Sequence, residues 1–234
     1  MSNVSFALKD TITKNIKKSV FLSNGVYSHL FLCKFAYMNN NLAGTAKWCE
    51  NVMVVDADYI DKVAFDLIVN FERMIERRIP QADMARWIDC IGLDGGLREG
   101  EHQTQVILIH GKNRDRLDNF KPSEYAHELD GMAFKDNLGE FLISALPVED
   151  IVSKDDFFVE TVELICAQKE VKRVMVVPDA ERIYDRVRHA LRNVDDEKRV
   201  TVFAMQPMQG GNFRQEILGY SLMSALGIRA DEIK

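Results

Sequence analysis

The feature that most constrains this chain is a four-residue apolar run that occurs twice, each time leading into acids and an amphipathic stretch. "VMVV" opens both "VMVVDAD" (Val52 to Asp58) and "VMVVPDA" (Val174 to Ala180). A short β-branched run with no polar alternation reads as a strand buried on both faces, and such strands belong to parallel sheets covered by helices. After the first run, Ala64, Leu67, Ile68, Phe71 and Ile75 recur at helical spacing. After the second, Ile183, Val187, Ala190, Leu191 and Val194 form a stripe with Arg182, Arg186, Arg188 and Arg192 around it. The sequence therefore predicts an α/β fold: a mixed sheet flanked by helices.

The pattern extends further. "ARWIDCIGL" and "RVTVFAMQ" both read as strands, and both are followed by paired glycines, Gly95-Gly96 and Gly210-Gly211. Strand, helix, strand and Gly-Gly thus come twice, which predicts two βαβ pseudo-repeats at 52–96 and 174–211, produced by internal duplication. The proline-containing "RRIPQAD" absorbs the extra length of the first. Between them, "TQVILIHG" reads as a strand and "GMAFKDNLGEFLISALP" as a hairpin turning at "KDNLG". "SKDDFFVETVELICAQ" reads as a helix with Ser153 as its N-cap. The middle section is therefore expected to be antiparallel. Nearer the start, "FALKDTITKNIKKSVF" suits a helix, "SHLFLCKFAYM" a strand and "NNNLAGTAKWCEN" a short helix. No low-complexity linker interrupts the chain, so a single domain over 1–234 is expected.

In sheets with parallel strands, ligands bind beyond the carboxyl ends of the strands. The residues expected there are Asp56 and Asp58, Asp94 with Gly95 and Gly96, Asp179, and Gly210, Gly211 and Asn212. Acids accept hydrogen bonds, and glycine turns expose backbone N–H groups. The structural alternative is that Asp56 and Asp179 cap the helices after them and that the glycines supply positive φ. Asn212, with Gln215 three residues on, has the spacing of a capping box, and a turn into a helix start can present N–H groups to an anion. Neither G-x-x-x-x-G-K-[ST] nor G-x-G-x-x-G occurs, so no nucleotide fingerprint is met and no cofactor is indicated. His102 lies in the polar loop "LREGEHQTQ" as a solvated histidine, and His29, His110, His127 and His189 show no metal-ligand spacing.

A net charge of -6 offers no general attraction to nucleic acid or to anionic membrane. No segment approaches the ~18 unbroken apolar residues of a membrane span. The opening twenty residues carry scattered lysines without an apolar core, and Cys33, Cys49, Cys90 and Cys166 stand singly. These features together point to the cytoplasm.

The functional reading is binding of a small polar or anionic ligand where the acid and Gly-Gly loops meet. Two alternatives stay open. From Trp87 onward, a strand ending in "DGG", a strand, a hairpin, a helix with Glu160 and Glu163, and a strand leading to Asp179 follow in an order similar to the ribonuclease H-like fold. That resemblance implies divalent metals held by Asp94, Asp179 and either Glu163 or Asp56 for phosphoester hydrolysis. The other alternative is a non-catalytic assembly protein, whose apolar helix faces would suit a homodimer.

Overall fold

The two "VMVV" runs lie side by side. In a computed structural model that describes residues 48–149 and 152–233, Val52 stands opposite Val174, Met53 opposite Met175, Val54 opposite Val176 and Val55 opposite Val177, in parallel pairing. All eight are fully buried. Each buried valine contributes about 1.5–3 kcal/mol relative to exposure, so this central pair anchors the sheet.

Seven strands build that sheet. They are β1 (Asn51–Asp56), β3 (Gln103–Gly111), β5 (Ala133–Asp136), β6 (Gly139–Val148), β7 (Arg173–Val177), β8 (Arg199–Ala204) and β9 (Arg214–Ile217), in the order β5-β6-β3-β1-β7-β8-β9. Only β5 and β6 pair antiparallel, through the expected hairpin with Asp136 opposite Gly139. Two short strands, β2 (Ala82–Asp83) and β4 (Phe120–Lys121), pair separately. The helices are α1 (Ala57–Ile75), α2 (Met84–Asp94), α3 (Lys154–Cys166), α4 (Ala180–Ala190) and α5 (Leu218–Ala225). The mixed α/β sheet flanked by helices, with its antiparallel hairpin, is as the sequence predicts.

Alternation of side chains along the strands divides the core into two layers. Met53, Val55, Val106, Leu108, Met175, Val177 and Phe203 face α1, α2 and α5. On the opposite face α3 packs across β1, β3 and β7 and against α4. Ser153 caps α3, as expected, by accepting from the Asp156 N–H.

Two expectations are corrected. "ARWIDCIGL" is not a strand but the body of α2. Its buried residues Met84, Trp87, Ile88 and Ile91 recur at helical spacing, and Asp83 caps the helix by accepting from the Arg86 N–H (3.1 Å). The segments 52–96 and 174–211 are consequently not equivalent βαβ units; they share a strand and a helix, and then diverge. Asn212 does not cap a helix either. Arg214–Ile217 forms β9, which satisfies the open edge of β8 in parallel pairing, and α5 starts only at Leu218. Gln215 instead accepts from the Met208 N–H (3.0 Å), and the Asn212 amide donates to Asp196 (2.7 Å).

The described residues fall in one compact unit that starts at Trp48. The elements expected before it, and with them the single domain over 1–234, involve residues outside the described range. Among the described residues no helix is long and apolar enough to cross a membrane.

Candidate ligand-binding site

The chain leaves β1 for β3 and β6 on one side, returns through α3, and leaves β7 for β8 and β9 on the other. β1 and β7 are thus neighbours whose continuations part, with α1 on one face of the sheet and α4 on the other. A crevice opens beyond the carboxyl ends of strands at such a reversal. Three groups converge on it. Asp56 ends β1, Asp179 follows β7, and Lys154 is the first residue of the returning helix α3.

Asp56 is 1% exposed. Its Oδ1 caps α1 by accepting from the Tyr59 N–H (3.0 Å) and also accepts from Lys154 Nζ (2.6 Å). The same ammonium donates to Asp58 Oδ2 (2.9 Å), which in turn accepts from the Gly111 N–H at the end of β3 (3.0 Å). Burial raises the Asp56 carboxyl above its ordinary value, and this outweighs the pull of Lys154. Burial acts to lower Lys154, but the two carboxylates overcome it and hold the ammonium above its usual range.

Alternating charge continues from there along α1. Arg114 Nε lies 3.7 Å from Asp58 Oδ1, and its Nη2 donates to Asp61 (2.7 Å). Asp61, almost wholly buried, also accepts from the Asn119 N–H (2.8 Å) and so anchors the loop after β3. His110, near the end of β3, is buried and stacks on Tyr125 at 3.7 Å with the rings 8° apart. Burial holds its imidazole below the ordinary value.

Ten buried polar side-chain atoms among the described residues have no hydrogen-bond partner, and half of them gather at this edge. They are Asp56 Oδ2, Asp58 Oδ1, the Tyr59 hydroxyl, the Tyr125 hydroxyl and Asp179 Oδ1. Asp58 Oδ1 among them has only the longer ion-pair contact with Arg114 Nε, and a donor brought to such buried acceptors would satisfy them. Burial and the neighbouring charges of Glu181, Asp179 and Asp56 push the Tyr59 phenol up. Tyr59 also borders a cleft of about 390 Å³, with Ala180, Glu181, Ala204, Met205 and Met208 among its other walls.

The remaining expected site residues lie elsewhere. Asp94, Gly95 and Gly96 follow α2 to the amino edge of the sheet, where Arg173 at the start of β7 donates to the Gly95 carbonyl (2.6 Å). The length of β7 separates them from Asp179. Gly210, Gly211 and Asn212 lie exposed in the connection from β8 to β9, and neither glycine has a positive φ. Glu163 borders a different cleft with Cys166 and Lys198, so it does not meet Asp94 and Asp179. No group of three or more His, Cys, Asp or Glu residues arranged to hold a metal occurs among the described residues. The strand that began the ribonuclease H-like order is α2.

The site thus keeps Asp56, Asp58 and Asp179 from the expected set and adds Lys154, Tyr59, Arg114 and Asp61. One of these additions had a local signal. Asp61 sits between Tyr59-Ile60 and Val63-Ala64, on the inward face of α1, where an acid needs a partner.

Fold and site together define an open, mostly parallel α/β protein with a charged crevice at its switch point. Residues 45–233 match the family of unknown function DUF6621, and the chain belongs to that family. No curated protein and no solved structure matches it.

Proposed function

We propose that the protein binds a small polar ligand at the carboxyl ends of β1 and β7, and that this ligand is a neutral or cationic hydrogen-bond donor with a flat apolar body. The observation that carries this reading is the orphaned Tyr59 hydroxyl of a cleft-lining residue, with orphaned Asp179 Oδ1 in the residue before the cleft-lining Ala180 and orphaned Asp56 Oδ2 at the end of β1. An ionised carboxylate only accepts hydrogen bonds, so its partner must donate. Charge supports the same choice. Asp56, Asp58, Asp61, Asp179 and Glu181 outnumber Lys154, Arg114 and Lys62 here, and Lys62 is already paired with Glu181 (3.2 Å). That surplus disfavours a phosphate or carboxylate ligand. Ala180, Ala204, Met205 and Met208 supply an apolar wall, and thioethers adapt readily to a flat ring. A volume of about 390 Å³ is in the range of small-molecule sites.

The metal-dependent alternative has weaker support. The Lys154 ammonium already occupies the point between Asp56 and Asp58 where a cation would bridge them.

Thermal denaturation with adenosine and with benzamidine, a neutral and a cationic donor that each carry a flat ring, tests the proposal. At least one should raise the Tm with the logarithm of its concentration above Kd, by the equivalent of about 2.7 kcal/mol at a hundredfold excess over Kd. The rise should shrink in Tyr59→Phe and Asp179→Asn. No shift with either compound at millimolar concentration, or a shift unchanged in both variants, overturns the proposal.

A further inference from the structure

The amino edge of the same sheet carries the opposite charge. Arg173 on β7 stands opposite Arg199 on β8, and Arg214 on β9 stands opposite Thr201, two residues beyond Arg199. Side chains alternate along a strand, so all three arginines share the face that carries Met175 and Phe203. That is the face on which α2 ends. A Cβ at Gly96 (φ 87°) would lie 2.7 Å from Arg173 Nη1 and 3.8 Å from Arg214 Nη1, so both guanidinium groups converge on this glycine. Arg98, two residues further on, joins them.

Part of this arrangement is ordinary helix capping. Arg173 Nη1 donates to the Gly95 carbonyl at the end of α2, while Arg98 Nη1 donates to the Leu97 carbonyl beyond it (2.8 Å). Capping leaves most of the donors over. Arg173 Nε is buried without a partner. Of the acids nearby, Glu50 pairs with Lys172 (3.3 Å), whereas Glu216 pairs with Arg214 itself (2.6 Å) and the charge of Arg214 also acts on Asp94. Among the described residues no carboxylate lies within ion-pair distance of Arg98, Arg173 or Arg199. Burial, together with the charges of Arg199, Arg98 and Arg214, holds the Arg173 guanidinium below its usual range. In a chain of net charge -6, such a cluster does not come from composition.

We propose that this edge is a binding site for a single phosphate group, held by Arg98, Arg173 and Arg199 around Gly96, with Arg214 shared between the phosphate and Glu216. Guanidinium forks match a tetrahedral oxyanion bidentately, and several converging on one point suit phosphate. The site is separate from the carboxyl-edge crevice, and the two attract ligands of opposite charge.

Titration calorimetry at constant ionic strength tests this with inorganic phosphate, glycerol phosphate and a single-stranded oligothymidylate. Phosphate and glycerol phosphate should bind one per chain. Arg98 and Arg199 are exposed, so Arg98→Gln/Arg199→Gln should fold normally and bind phosphate at least tenfold more weakly. Tyr59→Phe, at the other edge, should leave phosphate affinity unchanged. Absence of phosphate binding overturns the proposal, as does binding that survives in the double variant. Binding of the oligothymidylate alone also overturns it, because the patch would then read an extended polyanion.

Discussion

Lys154→Met removes the cation that bridges Asp56 and Asp58. Asp58 is 21% exposed at its side chain and can recover water, but Asp56 is 1% exposed and cannot. What remains for Asp56 is a single hydrogen bond, from the Tyr59 N–H. Breaking a buried ion pair from one side typically costs about 3–5 kcal/mol, and urea denaturation at neutral pH should find a loss of that size. The loss should depend on pH in a definite direction. Without Lys154, the folded-state Asp56 carboxyl titrates further above its unfolded value of about 3.9. Stability is then fully present below that unfolded value and is lost as pH rises through the raised folded one, at up to about 1.4 kcal/mol per pH unit. The variant should therefore lie closest to wild type in acid and fall behind toward neutrality. Asp56→Asn/Lys154→Met removes both charges, keeps a capping residue, and should recover most of the loss. A cost below about 1 kcal/mol, a cost that is flat between about pH 4 and pH 8, or no recovery in the double variant would refute the reasoning.

Two further outcomes follow from the α2 side of the sheet. Asp89 is pushed up to about 7 by burial, by its hydrogen bond to Asp136 and by the charges of Asp136 and Asp83. A raised carboxyl stabilises the fold fully below its unfolded value of about 3.9 and loses that contribution by the folded value of about 7, so wild type should weaken between about pH 4 and pH 7 relative to Asp89→Asn and level off above, as read by urea midpoints. At Gly95, an added Cβ would lie 2.5 Å from the buried Met175 side chain. Gly95→Ala should cost about 1–3 kcal/mol by overpacking, and a double-mutant cycle with Met175→Ala should return part of it.

The parts of the fold written in local pattern were readable in the chain. Both "VMVV" strands, the β5–β6 hairpin and the Ser153 cap follow from β-branched runs, turn residues and capping chemistry. α2 was legible too, but only in a window that starts at Met84, since reading from Ala85 hides the helical spacing of Met84, Trp87, Ile88 and Ile91. β9 had no such signal. "RQEI" is polar and short, and it becomes a strand because the edge of β8 needs partners.

The site divides in the same way. Asp56, Asp58 and Asp179 stand where strands end, which a sequence can show. Lys154 lies 98 residues from Asp56 and reaches it only because the chain crosses back at the switch point. Asp94 and its glycines went to the opposite edge once their segment proved helical, and the two arginines that meet Gly96, Arg173 and Arg214, come from separate strands.

The most direct test of the ligand site is a nuclear magnetic resonance titration of the protein with labelled methionine methyl groups, using adenosine and benzamidine. Met205 and Met208 line the cleft beside Tyr59, whereas Met74 and Met132 are exposed at 57% and 50% elsewhere on the surface. Saturable shifts of the Met205 and Met208 methyls, with Met74 and Met132 unmoved, are the predicted result. Shifts confined to Met74 and Met132, or no saturable shift with either compound, would contradict a ligand site at the carboxyl ends of β1 and β7.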